Sequence, residues 1–441
     1  MSTSAPTMET PAQTVPQGNN KSQAIAWVLY HFGNAGYPAV VAAAIFNTYF
    51  VTVVAPGAGF DKGTSTLLWT LAVGLSNFLV VASAPLLGAL CDYSAAKKAV
   101  LFTATLGCIV LTSLLFFTGP GAVPLAFVLV ALSYFMFSTG ENFLASFLPE
   151  ICTSENMGRV SGWGCTVSHL GGLAILLVCQ AYVGWAQAAG QQPAQYVPLT
   201  AIFVAINYAL FGLPFFAIVK EHAKAKELPA GQTYWSIGTH RLMETLSHAP
   251  KFQDLFRLLL TVLLYTCGTS TVVVLASVFA HEVMGFTVAD TITLFVVINL
   301  TATGGAYVFG EIQDRLGSKP TLIIALSLWL LSVLTLTFSF DRLVFWIAAA
   351  LAGAANGGSF TAGRATVGLL TPAGRAGEFF GLWGLACKTA AIIGPISYGL
   401  MAYATGGNHR LAIFCTCLFF GIALILATTI NMKRGQEAAK S

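Results

Sequence analysis

Two stretches of this sequence decide its fold, 310-GEIQDRLGSKP-320 and 88-GALCDYSAAKK-98. Each follows a long apolar segment, and each has a glycine followed four residues later by an aspartate. The same spacing of 222 residues separates Gly88 from Gly310 and Asp92 from Asp314. This repeat predicts that the chain consists of two similar halves.

The repeat extends to polar residues inside the apolar segments. Pro149 and Pro372 each end an apolar segment, and counting back eight residues gives Glu141 and Arg364. Counting forward seven residues from the glycines at positions 162 and 381 gives His169 and Lys388. The unusual charged and polar residues of the two halves are therefore paired by the repeat.

Composition places the chain in a membrane. It has 441 residues, of which 56% are hydrophobic and 9% charged, with a mean hydropathy of +0.76. Soluble domains carry about 25% charged residues, whereas apolar runs of about 20 residues span a bilayer. We predict an all-α membrane protein with twelve spans, at 24–54, 66–90, 99–118, 122–148, 158–187, 197–219, 254–280, 288–310, 320–339, 343–370, 377–404 and 409–431.

The basic residues predict the orientation. Of the 21 lysines and arginines, Lys62, Arg342 and Arg410 fall on one side, Arg364 and Lys388 lie within spans, and all others fall on the side of the termini. Under the positive-inside rule, both termini are cytoplasmic. We expect a multi-pass protein of the bacterial inner membrane. The net charge of +4 reflects this orientation and indicates no nucleic-acid partner.

The remaining sequence features divide the chain and exclude enzyme chemistry. The nine cysteines are scattered without a CxxC pair, which indicates neither a disulfide nor a metal site. No Walker A, HExxH or GxSxG motif occurs, so we expect neither an enzyme nor a cofactor. The predicted regions are a disordered cytoplasmic tail (1–23), a six-helix bundle (24–219), a cytoplasmic linker (220–251), a second bundle (252–432) and a cytoplasmic tail (433–441).

This plan resembles the major facilitator superfamily. The signature loop of that superfamily is complete in the second half, as Gly310, Asp314, Arg315, Gly317 and Lys319, and degraded in the first, where a tyrosine and an alanine replace two motif residues. The resemblance implies two pseudo-symmetric six-helix bundles. We expect cytoplasmic gating contacts from the motif residues and from Gly88, Asp92 and Lys97, and a similar gate from Arg375 and Glu378. The alternative is that these are solvated charges at the membrane interface.

Three further stretches narrow the resemblance. They are WVLYHFGNAGYPAVVAAAIFNTYF, FLPEI followed by GRVSGWG, and GRATVGLLTPAGRAGEFFGLWGLACKTAAIIGP. They are similar to the group that contains the vacuolar amino-acid effluxers of autophagy and many uncharacterised bacterial proteins. The resemblance covers most of the chain.

The superfamily fold implies a central cavity lined by spans 1, 4, 7 and 10 and flanked by spans 5 and 11. That fold puts Glu141 and His169 on one wall and Arg364 and Lys388 on the other. Arg364 would hold a carboxylate, and Glu141 would accept an ammonium group or carry the coupling proton. The alternative is a static Glu141–Arg364 ion pair.

His31 lies beside Asn34 in the first span. Two interpretations apply to it, a proton relay and a hydrogen-bonded packing residue.

The sequence thus predicts a secondary active transporter for a small polar, zwitterionic or anionic, amino-acid-like solute. We expect alternating access between the halves, coupling to protons or another ion, a lipid surround and a monomer. Two alternatives remain. One is an exporter or flippase for lipids or lipophilic organic acids, and the other is a receptor or scaffold with a transporter fold.

Overall fold

The computed structural model describes residues 20–94, 96–151, 157–221, 233–236, 243, 252–371 and 376–440. Most of the predicted tail 1–23 and linker 220–251 lies outside these residues. The described part contains twelve helices long and apolar enough to cross a membrane, which confirms the predicted fold class. They are α1 (Lys21–Ala58), α2 (Lys62–Ser94), α3 (Lys97–Phe117), α4 (Val123–Ser146), α5 (Met157–Ala188), α6 (Pro193–Ile218), α7 (Gln253–Met284), α8 (Val288–Leu316), α9 (Ser318–Phe338), α10 (Arg342–Leu370), α11 (Ala376–Ala404) and α12 (His409–Thr429), followed by a short α13 (Met432–Lys440).

The first span is not a uniform α-helix. It is α-helical over Asn20–Asn34 and π-helical over Tyr37–Ala44 and Phe50–Val54. Pro38 is the second residue of the first π-helical segment, and proline has no N–H to continue the α-helical hydrogen bonding. Single π turns are frequent at functional sites, and this one begins just after Asn34.

The two halves repeat the same packing, as the sequence repeat predicts. In the first half α4 packs on α2 and α3, and α1 packs on α5 and α6; in the second half α10 packs on α8 and α9, and α7 packs on α11 and α12. We call the side that carries α13 and the loop between α8 and α9 the basic face. The side of Lys62, Arg342 and Arg410 is the opposite face.

The halves are joined near the opposite face, where α2 packs on α11, α1 on α7 and α5 on α8. The Asn47 amide donates a hydrogen bond to the carbonyl of Val274, at 2.8 Å. Gln180 Nε2 donates to Thr293 Oγ1, at 2.9 Å. Gly399 of α11 packs against α2 so closely that a β-carbon there would collide with the side chain of a threonine. These contacts hold the opposite face closed.

Candidate transport site

Glu141 lies on α4, where it accepts a hydrogen bond from the amide of Asn34. Asn34 is 2% exposed and is the last residue of the α-helical part of α1. Placing a carboxylate at membrane depth costs at least ~2.5 kcal/mol. A hydrogen bond to a charged group contributes about 1.5–3 kcal/mol. Asn34 therefore offsets much of the cost of keeping Glu141 ionised within the span.

A hydrogen-bonded network lies behind Glu141. The Tyr30 hydroxyl is 2.5 Å from Thr105 Oγ1 and 2.8 Å from the Tyr208 hydroxyl, which ties α1 to α3 and α6. Gly140, next to Glu141, faces both tyrosines, and a β-carbon there would make an ordinary van der Waals contact 3.6 Å from the Tyr30 oxygen. Hydrogen-bonded side chains of three neighbouring helices therefore lie behind the wall that carries Glu141.

The two histidines of this half lie outside the Glu141–Asn34 hydrogen bond. The His31 ring packs edge-on against Trp27, with 4.4 Å between ring centroids, and a β-carbon on Gly164 of α5 would lie 3.2 Å from the His31 ring. His31 Nε2 is buried and has no hydrogen-bond partner among the described residues. It lies within electrostatic range of Glu141. The His169 side chain is exposed on α5.

Arg364 lies on α10 and points between the two helices that flank it. Gly357 packs closely on α8 and Gly363 on α7. Because successive helical residues are rotated by about 100°, Arg364 falls between these two contact faces. Its side chain is exposed. In the described part of the chain the structure shows no ion pair between Arg364 and Glu141, so in this conformation the two do not form the static pair of the alternative hypothesis.

An aromatic pair lies beside Arg364. Phe360, one helical turn away on α10, is 52% exposed, and its ring contacts that of Trp383 on α11 with 5.8 Å between centroids. Sequence reasoning missed both residues. The only available signal was the tryptophan in the quoted stretch GLWG, which stands five residues before Lys388.

Lys388 is half-buried within α11. It forms no hydrogen bond or ion pair with the residues whose side chains are described, but it lies within electrostatic range of Glu141 across the two halves. Ionisable groups at membrane depth are costly and mark substrate or ion pathways by default. Within the described residues, the site therefore has one carboxylate, Glu141, on the first half and two basic side chains, Arg364 and Lys388, on the second. Glu141 forms no ion pair with either of them.

The first-half motif loop has a partner that the sequence did not indicate. Lys97 Nζ forms an ion pair with Glu150 Oε1 at 2.7 Å, and Glu150 follows Pro149 directly. The Glu221 carboxylate accepts hydrogen bonds from the backbone N–H groups of Lys97 and Lys98, at 2.9 and 3.0 Å, and so caps the start of α3. The side chains of Asp92, Asp314, Arg375 and Glu378, and the surroundings of Gly88, lie outside the described part of the structure.

Two basic residues of the second-half motif, Lys319 and Arg315, form contacts within their own half in this conformation. Lys319 Nζ donates hydrogen bonds to the carbonyl oxygens of Thr428 and Ile430, both at 2.7 Å, and so caps the end of α12. Arg315 is 80% exposed and lies 3.9 Å from Glu311 of the same helix. Gly317 has a φ of +85° at the turn between α8 and α9, a conformation that favours glycine. A β-carbon on Gly310 would meet open space.

The predicted tail 433–441 contains a docked helix, α13. Asp254, 2% exposed at the start of α7, accepts hydrogen bonds from Arg434 Nε at 2.6 Å and from the backbone N–H of Asn431 at 2.9 Å. A β-carbon on Gly435 would lie 2.7 Å from the Leu370 side chain. The glycine therefore allows α13 to approach α10.

The sequence matches one known family over most of its length. A sequence model of the family described as "Vacuole effluxer Atg22 like" matches residues 59–440. The chain belongs to the Atg22-like family. This Atg22-like chain is 24% identical over 424 residues to the "Uncharacterized MFS-type transporter YxiO" of Bacillus subtilis, covering 94% of this chain and 96% of that protein.

The Atg22-like chain is also 23% identical over 261 residues to "Autophagy-related protein 22" of Kluyveromyces lactis, over 55% of this chain. It spans about half the length of that fungal relative, 53%. Among solved structures, it resembles an inward-facing bacterial homologue of the human lysosomal transporter Spinster (TM-score 0.70, 14% identity, 96% of this chain and 99% of that one). It also resembles the inward-open xylose transporter XylE of E. coli (TM-score 0.66, 13% identity, 96% and 99%).

These likenesses confirm the major facilitator fold. Together with the family match, they identify the Atg22-like chain as a membrane transporter and not an enzyme. A small-molecule substrate follows from that class.

Proposed function

We propose that this protein is a secondary active transporter for a small zwitterionic or anionic, amino-acid-like solute, coupled to protons. One observation carries the proposal. Glu141 on the first half lies within electrostatic range of Lys388 on the second, Arg364 is exposed on α10 of the second half, and the structure shows no ion pair between these groups within its described residues. Charges left apart at membrane depth have a use in binding.

Each charged group has a separate chemical task. The planar guanidinium of Arg364 binds a carboxylate through two parallel hydrogen bonds, and Lys388 adds a compact positive charge deeper in the bundle. Glu141 accepts the ammonium group of a zwitterion or takes up the coupling proton. Its partner Asn34 serves both protonation states, because an amide donates to a carboxylate and also accepts from a carboxylic acid.

The conformation supports the alternating-access part of the proposal. The halves are joined near the opposite face, while α4 and α10 pack within their own halves. We propose that the basic face is cytoplasmic, since basic residues concentrate there, so the structure represents an inward-open state.

A ligand-stabilisation screen on the purified protein in nanodiscs tests the substrate class. We expect amino acids or related zwitterions to raise the melting temperature of the wild-type protein, and Arg364→Gln to abolish that shift. Arg315→Gln is the matched control, because Arg315 is exposed at the basic face. Stabilisation by lipids or lipophilic acids, with no response to zwitterions, would instead establish the alternative exporter.

A further inference from the structure

A second group of charged side chains lies at the opposite face, where the two halves meet. Lys62, at the start of α2, forms an ion pair with Glu282 near the end of α7, with 2.6 Å between Nζ and Oε2. The Glu282 side chain is 8% exposed, whereas that of Lys62 is 66% exposed. A cation of the first half thus compensates a buried carboxylate of the second.

His409 lies beside this ion pair and is unused by it. It begins α12 and is 3% exposed. Its Nδ1 is 3.0 Å from the Tyr398 hydroxyl, and its Nε2 is buried without a hydrogen-bond partner among the described residues. His409, Lys62 and Glu282 line one cavity of about 290 Å³. His409 lies within electrostatic range of both Glu282 and Lys62.

The other charged or titratable groups around this cavity are held by other contacts. His281 Nδ1 is 2.9 Å from a backbone carbonyl oxygen after the end of α7. Asp61 accepts hydrogen bonds from the first turn of α2. Arg410 donates to carbonyl oxygens at the end of α9. Among these groups, Glu282 and His409 are therefore the two whose electrostatic surroundings change when Lys62 moves.

We propose that Glu282 and His409 form a proton-binding site that is completed when the opposite face opens. This rests on the proposed alternating access, because opening separates α2 from α7. Lys62 leaves with the first half, while Glu282 and His409 stay together in the second. A buried carboxylate without a partner is strongly unfavourable. One proton taken from water at the opposite face converts the neutral His409 imidazole into a cation that replaces Lys62.

The closed and open states of the opposite face differ by one bound proton. The closed state has Lys62 paired with Glu282 and a neutral His409, whereas the open state has one more proton bound. Acidic solution at the opposite face therefore favours opening. With one proton coupled, the opening equilibrium changes by at most about tenfold per pH unit.

Distance measurements between two spin labels test this proposal. The labels are placed at Phe117 and Leu343, which are 68% and 69% exposed and lie at the opposite face on different halves. The background has the nine native cysteines replaced. Between about pH 8 and about pH 5, where imidazole titrates, we expect the wild-type distance to shift to longer values.

Three variants separate the roles. His409→Gln should remove the pH response, and Glu282→Gln should do the same and serves as the test if the histidine variant does not fold. Lys62→Gln should open the face even at about pH 8, because the ion pair is gone. His281→Gln is the matched control and should keep the wild-type pH response.

The outcomes distinguish this proposal from the transport function. An unchanged pH response in a folded His409→Gln protein would overturn the proton site but leave alternating access standing. A Lys62→Gln protein that stays closed under all conditions would count against alternation itself, and with it the proposed function. Neither result depends on which solute is carried.

Discussion

Asn34 and Glu141, 107 residues apart in sequence, are joined by a hydrogen bond within the membrane-spanning part of the protein. The bond connects the α-helical end of α1 to α4. It places a hydrogen-bond donor next to the carboxylate, which forms no ion pair with any of the described residues. This arrangement leaves the charge of Glu141 available to a ligand or a proton.

The first prediction concerns the proton. Glu141→Gln should abolish gradient-driven accumulation in proteoliposomes but retain part of the substrate exchange, because glutamine keeps the hydrogen bond to Asn34 and cannot release a proton. We expect driven uptake to fall by about a hundredfold or more, the scale of losing one general acid–base group. Asn142→Ala, at the exposed neighbouring position, is the control. Equal loss of uptake and exchange would show that Glu141 has a binding or structural role instead.

The second prediction separates a binding site from a structural pair. Because Glu141 and Arg364 do not form an ion pair among the described residues, their effects on stability should be additive within about 0.5 kcal/mol. Arg364→Gln and Glu141→Gln/Arg364→Gln should both fold and both fail to bind substrate. Thermal melting and binding assays on the two single variants and the double variant measure this. Recovery of binding in the double variant would rule out Arg364 as a substrate ligand.

The third prediction concerns two basic residues of the same motif loop. Lys319→Met should lower the free energy of unfolding by about 1–3 kcal/mol, because two carbonyl groups at the end of α12 lose a charged donor. Arg315→Gln should change it by less than about 0.5 kcal/mol, because its ion pair is exposed. Denaturant unfolding in detergent compares the two. Similar effects of both substitutions would contradict the structural role assigned to Lys319.

The fourth prediction concerns α13. Arg434→Leu should lower the free energy of unfolding measured in detergent, because it leaves the buried carboxylate of Asp254 with a weaker set of partners. Asp254→Asn/Arg434→Leu should recover part of this loss, since the buried charge is then removed. Lys433→Gln, an exposed neighbour, should have little effect. A double variant less stable than the sum of its single variants would contradict this account.

The sequence predicted the fold because hydropathy and the internal repeat are properties of the whole chain. It also predicted that Glu141 and Arg364 occupy matching positions, since one repeat offset relates them. It did not predict that Lys97 pairs with Glu150 or that Arg434 pairs with Asp254. Such pairs depend on how helices far apart in sequence are placed, which no local pattern encodes.

The role of Lys319 shows a further limit of sequence reasoning. The motif places a cation at the turn between α8 and α9, but the acceptors are carbonyl groups at the end of α12, which every helix end possesses. Nothing in the residues near position 428 identifies that end as the one capped. The partner of the motif is therefore visible only in three dimensions.

The π-helical segment Tyr37–Ala44 has a consequence for how this chain tolerates insertions and deletions. A π turn holds one residue more than an α turn, so removal of one residue would let the segment become α-helical. If the segment instead became α-helical at its present length, everything beyond it would rotate by about 100° relative to Asn34. Asn47, which bonds to Val274 in the other half, would turn away from α7. The number of residues in this apolar stretch, and not only their types, therefore determines whether α1 can form its hydrogen bonds to both halves at once.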